Sequence, residues 1–224
     1  MKILCLISVA LAILAVAQGY AIGAPQTACT SMAPNPGAYG HNAQPQTTTP
    51  PYRVTMDVPC NGYLPNKKYT MTLRPTNKSH QIEGFLCQVR KADGSDTTAI
   101  GMFSAFNPKG KAKHLACNSP KGAVTHKNNK GIHEFQTTWK APSSIPNYNL
   151  SAFCTVVEHR DTYWLKVPSA FFTAAKSKTD NCVHGQCVAL NAKSSRCRCE
   201  AGYNGPTCES GNSDSLLYNN RLIN

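Results

Sequence analysis

Apolar and polar residues alternate with a period of two through the middle of the chain. Tyr52, Val54, Met56 and Val58 fall on one face of an extended segment, and Arg53, Thr55 and Asp57 fall on the other. This is how a strand reads when one face meets a core and the other meets water. Tyr69, Met71 and Leu73 alternate in the same way with Thr70, Thr72 and Arg74. Phe85, Cys87 and Val89 share a face, as do Phe135, Thr137 and Trp139, and then Leu150, Ala152, Cys154 and Val156. β-Forming residues continue from Tyr163 to Thr173. Turn clusters separate these runs: Leu64-Pro65-Asn66, Ala92-Asp93-Gly94 and Asn107-Pro108-Lys109-Gly110. No long run has a helical period, and no internal repeat is visible. About seven to nine short strands with turn signals between them predict an all-β fold, an antiparallel β-sandwich.

The ends of the chain read differently. Met1-Lys2 is a short basic start, and Ile3 to Ala17 is almost wholly apolar. Small residues at Ala15, Ala17 and Gly19 suit cleavage after Ala17 or Gly19. The run is shorter than the roughly 20 residues a spanning helix needs, so residues 1–19 are expected to be a signal peptide. No later apolar run is long enough for a membrane span, and the tail, residues 210–224, lacks the hydrophobic stretch of a lipid-anchor signal. The mature protein is expected to be secreted and extracellular. Residues 20–51 are rich in Pro, Thr, Gln, Gly and Asn and read as loop. The apolar fraction, 41%, is enough for a real core, and 224 residues allow one large domain and a small module. Cleavage removes Cys5 from the 11 cysteines. The even number left suits disulfides in an oxidising compartment. Asn77-Lys-Ser79 and Asn149-Leu-Ser151 are glycosylation sequons.

Several stretches resemble the reeler (reelin N-terminal) domain family. They are Gly23-Ala-Pro-Gln-Thr-Ala-Cys29 with Met32-Ala-Pro34; Tyr52-Arg-Val-Thr; Gly84-Phe-Leu-Cys-Gln-Val-Arg90; Gly101-Met-Phe103; Cys117; Ala123-Val-Thr-His126; Phe135-Gln-Thr-Thr-Trp-Lys-Ala-Pro142; and Phe153-Cys-Thr-Val-Val157 with Tyr163-Trp164. Order and spacing match over residues 23–173, within a domain expected to span 20–173. The resemblance is strongest to small secreted invertebrate defence proteins. It implies an immunoglobulin-like sandwich and a disulfide from Cys29 to Cys117. Cys87 and Cys154 depart from the family pattern. Both lie on apolar faces, and they either pair across the core or stay as buried thiols. Cys60 has no family counterpart.

After a linker, residues 174–180, comes a cysteine framework over residues 181–209. Its order is Cys182, Cys187, Cys197-Arg-Cys199, then Gly202-Tyr203-Asn-Gly205-Pro-Thr-Cys208. This spacing resembles the EGF-like family. So short a unit cannot build a hydrophobic core, and disulfides must hold it. The resemblance implies Cys182–Cys197 and Cys199–Cys208. The usual first cysteine is missing, which leaves Cys187 alone. Elimination pairs it with Cys60 in an inter-domain bridge; the rival outcomes are two free thiols or an intermolecular bridge. The acidic and amide residues of calcium-type units are not in the matching place, so no metal is expected.

Nothing in the sequence points to catalysis. The histidines His41, His80, His114, His126, His133, His159 and His184 make no HExxH or paired-ligand spacing. No GxSxG, P-loop or Rossmann glycine pattern occurs. No enzymatic activity, catalytic residue or cofactor is expected, and His126 reads as a structural hydrogen-bonding residue. The formal charge is +12, or about +11 once Lys2 is removed. Lys109, Lys111, Lys113, Lys121, Lys127 and Lys130 fall in a run with no Asp or Glu. That run reads as loops forming one basic edge, a candidate site for anionic partners. For a secreted protein the candidates are microbial polysaccharide or lipopolysaccharide, and glycosaminoglycan. Nucleic acid is not expected, since no aromatic platform accompanies the lysines. Two functions follow. In one, the protein is an innate-defence protein that recognises anionic microbial surfaces and is antibacterial. In the other, it is an extracellular-matrix or adhesion component that contacts a matrix protein through its EGF-like module.

Overall fold

The computed structural model describes residues 22–34, 43–59, 62–175, 182–191 and 194–211. The leader, His41, most of the linker and the tail beyond residue 211 lie outside the described residues. The chain forms two compact units. The first takes the chain up to Asp57 together with Asn66–Phe171; the second takes Val58–Pro65 and the chain from Phe172 onward.

The first unit opens with a short 3-10 turn, Gln26–Cys29, and continues with nine strands. These are β1 (Tyr52–Met56), β2 (Lys68–Pro75), β3 (Gly84–Lys91), β4 (Met102–Asn107), β5 (Ala112–Cys117), β6 (Ser119–His126), β7 (Phe135–Lys140), β8 (Leu150–His159) and β9 (Thr162–Pro168). They make two antiparallel sheets, in the orders β1-β2-β7-β4 and β5-β6-β3-β8-β9. The alternation seen in the sequence places the inner faces. On β7, Phe135, Thr137 and Trp139 are buried while Gln136, Thr138 and Lys140 are half-exposed. Phe85 of the five-stranded sheet meets Phe135 of the four-stranded sheet, with ring centroids 4.4 Å apart. The Trp139 indole is fully buried and donates Nε1–H to the Ile100 carbonyl at 2.8 Å. Gly101 has a φ of +77°, and a Cβ there would stand 2.3 Å from that indole nitrogen, so only glycine fits.

Cys87 and Cys154 are disulfide-bonded. They sit opposite one another in the β3–β8 register, with Cα atoms 4.2 Å apart. That separation belongs to a non-hydrogen-bonded antiparallel pair, where facing side chains come closest. The bond therefore joins neighbouring strands of one sheet. It does not cross the core between sheets, the geometry expected for a pair, and the alternative of buried thiols is excluded.

The lysine-rich run is also corrected. Most of residues 109–130 is the β5–β6 hairpin, where the sequence indicated loops. Two features hide the alternation there. A bulge falls between Leu115 and Cys117, and Asn118 turns the hairpin with a φ of +61°. A bulge slips the register by one residue and moves later side chains to the other face.

In the second unit Tyr63 is fully buried. Its N–H donates to the Thr173 carbonyl at 2.9 Å, and its carbonyl accepts from the Ala175 N–H at 2.9 Å. Its ring meets Phe172 edge-on at 6.0 Å. Val58–Pro65, inside the stretch read as sandwich, thus belongs with the C-terminal unit. The strands there are β10 (Gly185–Asn191), β11 (Ser194–Cys199), β12 (Tyr203–Asn204) and β13 (Ser210–Gly211), paired β10 with β11 and β12 with β13. Disulfides Cys182–Cys197 and Cys199–Cys208 hold them. The His184 and Tyr203 rings stack at 3.9 Å. Cys60 and the side chain of Cys187 lie outside the described residues, and with them the expected bridge between them.

Candidate functional site

Strand β5 is an edge of the five-stranded sheet, and β6 returns beside it. The register pairs Ala112 with His126 and Lys113 with Thr125. The residues just before β5 therefore lie beside those just after β6. The Lys127 N–H donates to the Lys111 carbonyl at 2.8 Å, and Lys111 Nζ donates to the Lys130 carbonyl at 3.2 Å. Asn128 Nδ2 donates to the Gly110 carbonyl at 3.4 Å. Lys109, Lys111, Lys127 and Lys130 are gathered in this way at the open end of one hairpin. Lys109, Lys127 and Lys130 are exposed, and Lys111 is half-buried. Lys113 lies one residue into β5. Lys121, also exposed, is five residues before His126 on β6, about 17 Å away at strand spacing. The six lysines are thus not one cluster: the hairpin end holds four, Lys113 adjoins them, and Lys121 lies near the turn. Among the described residues none of the six forms an ion pair with a carboxylate.

His114 adds little charge to the run. Burial holds the His114 imidazole below its usual range; the Phe103 carbonyl that accepts from Nε2 at 2.9 Å opposes this, and Lys121 adds to it. His126 is fixed to β3, with Nδ1 3.1 Å from the Phe85 N–H that it accepts.

The outer face of β3 carries a second polar feature. Gln88 and Arg90 are buried within the sheet, with relative exposures of 0% and 2%. Residues 24–34 run over them as a strap, with Ala28 and Met32 packed on Leu86 and Ala123. Arg90 donates Nε–H to Gln88 Oε1 at 2.8 Å, Nη1–H to the Thr30 carbonyl at 3.0 Å, and Nη2–H to the Cys29 carbonyl. Gln88 Nε2 donates to that same Cys29 carbonyl at 3.1 Å. These donors satisfy the free carbonyls where the 3-10 turn ends. The Cys29–Cys117 disulfide ties the turn to the end of β5. Further up the strap, the Ala24 N–H donates to Thr125 Oγ1 at 2.9 Å, and that hydroxyl donates to the Phe85 carbonyl at 2.7 Å. Gly23 has a φ of +114°, and a Cβ would stand 2.4 Å from the His126 carbonyl oxygen and 2.6 Å from Lys113 Cε. The strap passes directly over the lysine stem. Between strap and sheet an open cavity of about 40 Å³ remains, with a mostly apolar lining that includes Ala24, Ala28, Met32, Ala33, Leu86 and Val157 together with the polar Thr155 and His126.

Elsewhere, His80 Nδ1 lies 2.7 Å from Glu158 Oε1, and His159 Nδ1 lies 3.0 Å from Glu83 Oε1. Tyr52 is near both carboxylates; burial first, then Glu158 and Glu83, push its phenol well up. Both sequon asparagines, Asn77 and Asn149, are exposed. Asn77 Oδ1 accepts from the Ser79 N–H at 3.0 Å, while Ser151 is buried and donates to the Ser169 carbonyl at 2.9 Å. Among the described residues no group of three or more His, Cys, Asp or Glu is placed to hold a metal ion, and no helix is long and apolar enough to cross a membrane.

Fold and site together define a disulfide-tied β-sandwich with a strap over one sheet and a basic hairpin at its edge. The Reeler domain family model matches residues 27–204, and the chain belongs to that family. The match runs past the sandwich into the cysteine-rich unit. Among relatives, "Putative defense protein 3" of Antheraea mylitta is 29% identical over 165 residues, which is 74% of this chain and 93% of that protein. "Putative ferric-chelate reductase 1" of Danio rerio is 31% identical over 154 residues, 68% of this chain; the chain spans only 25% of that protein. A crystal structure of the human F-spondin reeler domain has a TM-score of 0.47 at 15% identity, covering 59% of this chain and 94% of that one.

Proposed function

We propose that this is a secreted, non-enzymatic defence protein that recognises anionic microbial surfaces through the open end of the β5–β6 hairpin. The observation that carries the proposal is the gathering of Lys109, Lys111, Lys127 and Lys130 by that hairpin, with no carboxylate paired to them among the described residues. Clustered cations on a rigid element attract polyanions over about a Debye length, roughly 8 Å at physiological ionic strength. Relatives named as defence proteins support it, since this chain covers 93%, 92% and 89% of three of them. Secretion accords with the apolar leader and with four disulfides among the described residues. Lipopolysaccharide-type ligands supply the required anionic sugar and phosphate groups, and binding them is the step toward antibacterial action.

The test is binding of the purified mature protein to whole bacteria and to heparin, at low and physiological salt. Saturable binding to bacteria at physiological salt, competed by lipopolysaccharide, is the expected result. Binding to heparin alone, or only at low salt, overturns the proposal and shifts the function to glycosaminoglycan or an extracellular-matrix partner. In that second role the cysteine-rich unit makes the contact, and Val183, 59% exposed, is the apolar residue it offers.

A further inference from the structure

We infer that the cavity beneath the strap takes the end of one hydrocarbon chain of an anionic microbial amphiphile, while the hairpin lysines hold its headgroup. The inference rests on the anionic-surface function proposed above and adds a lipid site to it. The lining supplies the first half of the argument. Ala24, Ala28, Met32, Ala33, Leu86 and Val157 make the lining mostly apolar, with Thr155 and His126 its polar side chains, and a space of about 40 Å³ suits a chain terminus and not a whole lipid. A shallow apolar site on a surface gains nothing from water and gains from each methylene that enters.

Charge complementarity supplies the second half. The cavity lies beside the basic cluster. His126 is one of its lining residues, and Lys127 follows His126 directly. Lys111 is bonded to Lys127 through the backbone, and the stem of Lys113 packs on Gly23, next to Ala24 of the lining. Ile22, at the start of the strap, is 53% exposed and extends the apolar surface. The neighbouring carboxylates do not cancel the cations. Glu83 is engaged by His159, and Glu158 by His80. An apolar slot next to lysines that pair with no carboxylate among the described residues matches a ligand with a hydrocarbon chain attached to a phosphate. A free phosphate or a sulfated sugar would use the lysines alone.

The probes are monoalkyl phosphates of increasing chain length, kept below their micelle concentrations, and heparin as a polyanion without a chain. Calorimetry compares the native protein with Ala33→Trp, which fills the slot from its half-exposed wall, and with the quadruple variant K111Q/K113Q/K127Q/K130Q. Thermal unfolding confirms that each variant is folded. In the native protein the dissociation constant should fall about fourfold for each methylene until the slot is full. Ala33→Trp should flatten that dependence and leave heparin binding unchanged; the quadruple variant should lose both ligands. A flat chain-length series in the native protein, with heparin still bound, would overturn the lipid site and mean that residues of this chain already cover the slot. An unaltered series in Ala33→Trp would overturn it as well. Loss of every ligand by the native protein would instead remove the anionic function on which the site depends.

Discussion

Arg90 is a cation held in the interior of a sheet, and its acceptors are two backbone carbonyls and a glutamine. Burial lowers its pKa, and Asp96 opposes this. Removing it takes the donor from the Thr30 carbonyl and from the buried Gln88 Oε1, and leaves the Cys29 carbonyl with Gln88 Nε2 alone. The expected cost for Arg90→Met is about 3 kcal/mol, from the lost charged hydrogen bonds and the buried Gln88 acceptor left unsatisfied. Denaturant unfolding measures it, and hydrogen exchange should show the loss concentrated in residues 24–34. His114 gives a pH prediction. Its folded pKa lies below its unfolded value, so between the two the unfolded chain binds more protons. Its contribution is complete above the unfolded value of about 6.5 and is lost as the pH falls through that value toward the folded one. The unfolding temperature of the native protein should therefore drop between pH 7.5 and 5.5, and His114→Gln should show a smaller drop. Equal slopes for both proteins would contradict the assignment.

At the scale of elements, the strap and the hairpin depend on one covalent tie. Cys29 and Cys117 are separated by 88 residues, and closing a loop of that size lowers the entropy of the unfolded chain. Its removal in C29S/C117S should cost about 4 to 5 kcal/mol if the strap keeps its native contacts, by the loop-entropy relation. The Arg90 and Gln88 bonds keep the strap docked, so hydrogen-exchange protection of residues 24–34 should persist in that variant at low temperature. The elements of the sandwich differed in how plainly the sequence showed them. β1, β2 and β7 have one face in the core and alternate cleanly, so their side chains announced both strand and face; β8 is buried on both faces, Ser151 and Thr155 included, and carries irregularities against β9. β3 is covered on both faces, and there the buried polar pair Gln88 and Arg90 looks like a solvent face until the strap is seen. β4 and β5 each carry a bulge, between Ser104 and Phe106 and between Leu115 and Cys117, which breaks the period. The same break hid which lysines meet. Spacing along the chain put all six on one edge, whereas strand pairing brings together residues 109, 111, 127 and 130 and leaves Lys121 near the turn. Two polar residues inside an otherwise apolar run, Gly84-Phe-Leu-Cys-Gln-Val-Arg90, were the available sign of the strap.

For the whole molecule, the excess of 23 basic over 11 acidic side chains matters less than where the surplus lies. Lysines at an anionic membrane surface contribute about 1 kcal/mol each, so four acting together would change affinity by about a thousandfold. Heparin should elute the native protein at clearly higher salt than K109Q/K111Q/K127Q/K130Q, and Lys121→Gln should elute close to native. The deciding measurement is the binding isotherm of the mature protein on intact bacteria at physiological salt, run side by side with K109Q/K111Q/K127Q/K130Q and with Lys121→Gln. The hairpin end as recognition site predicts saturable native binding, a loss of about a thousandfold in the quadruple variant, and near-native binding for Lys121→Gln. Native-like binding by a folded quadruple variant would contradict it.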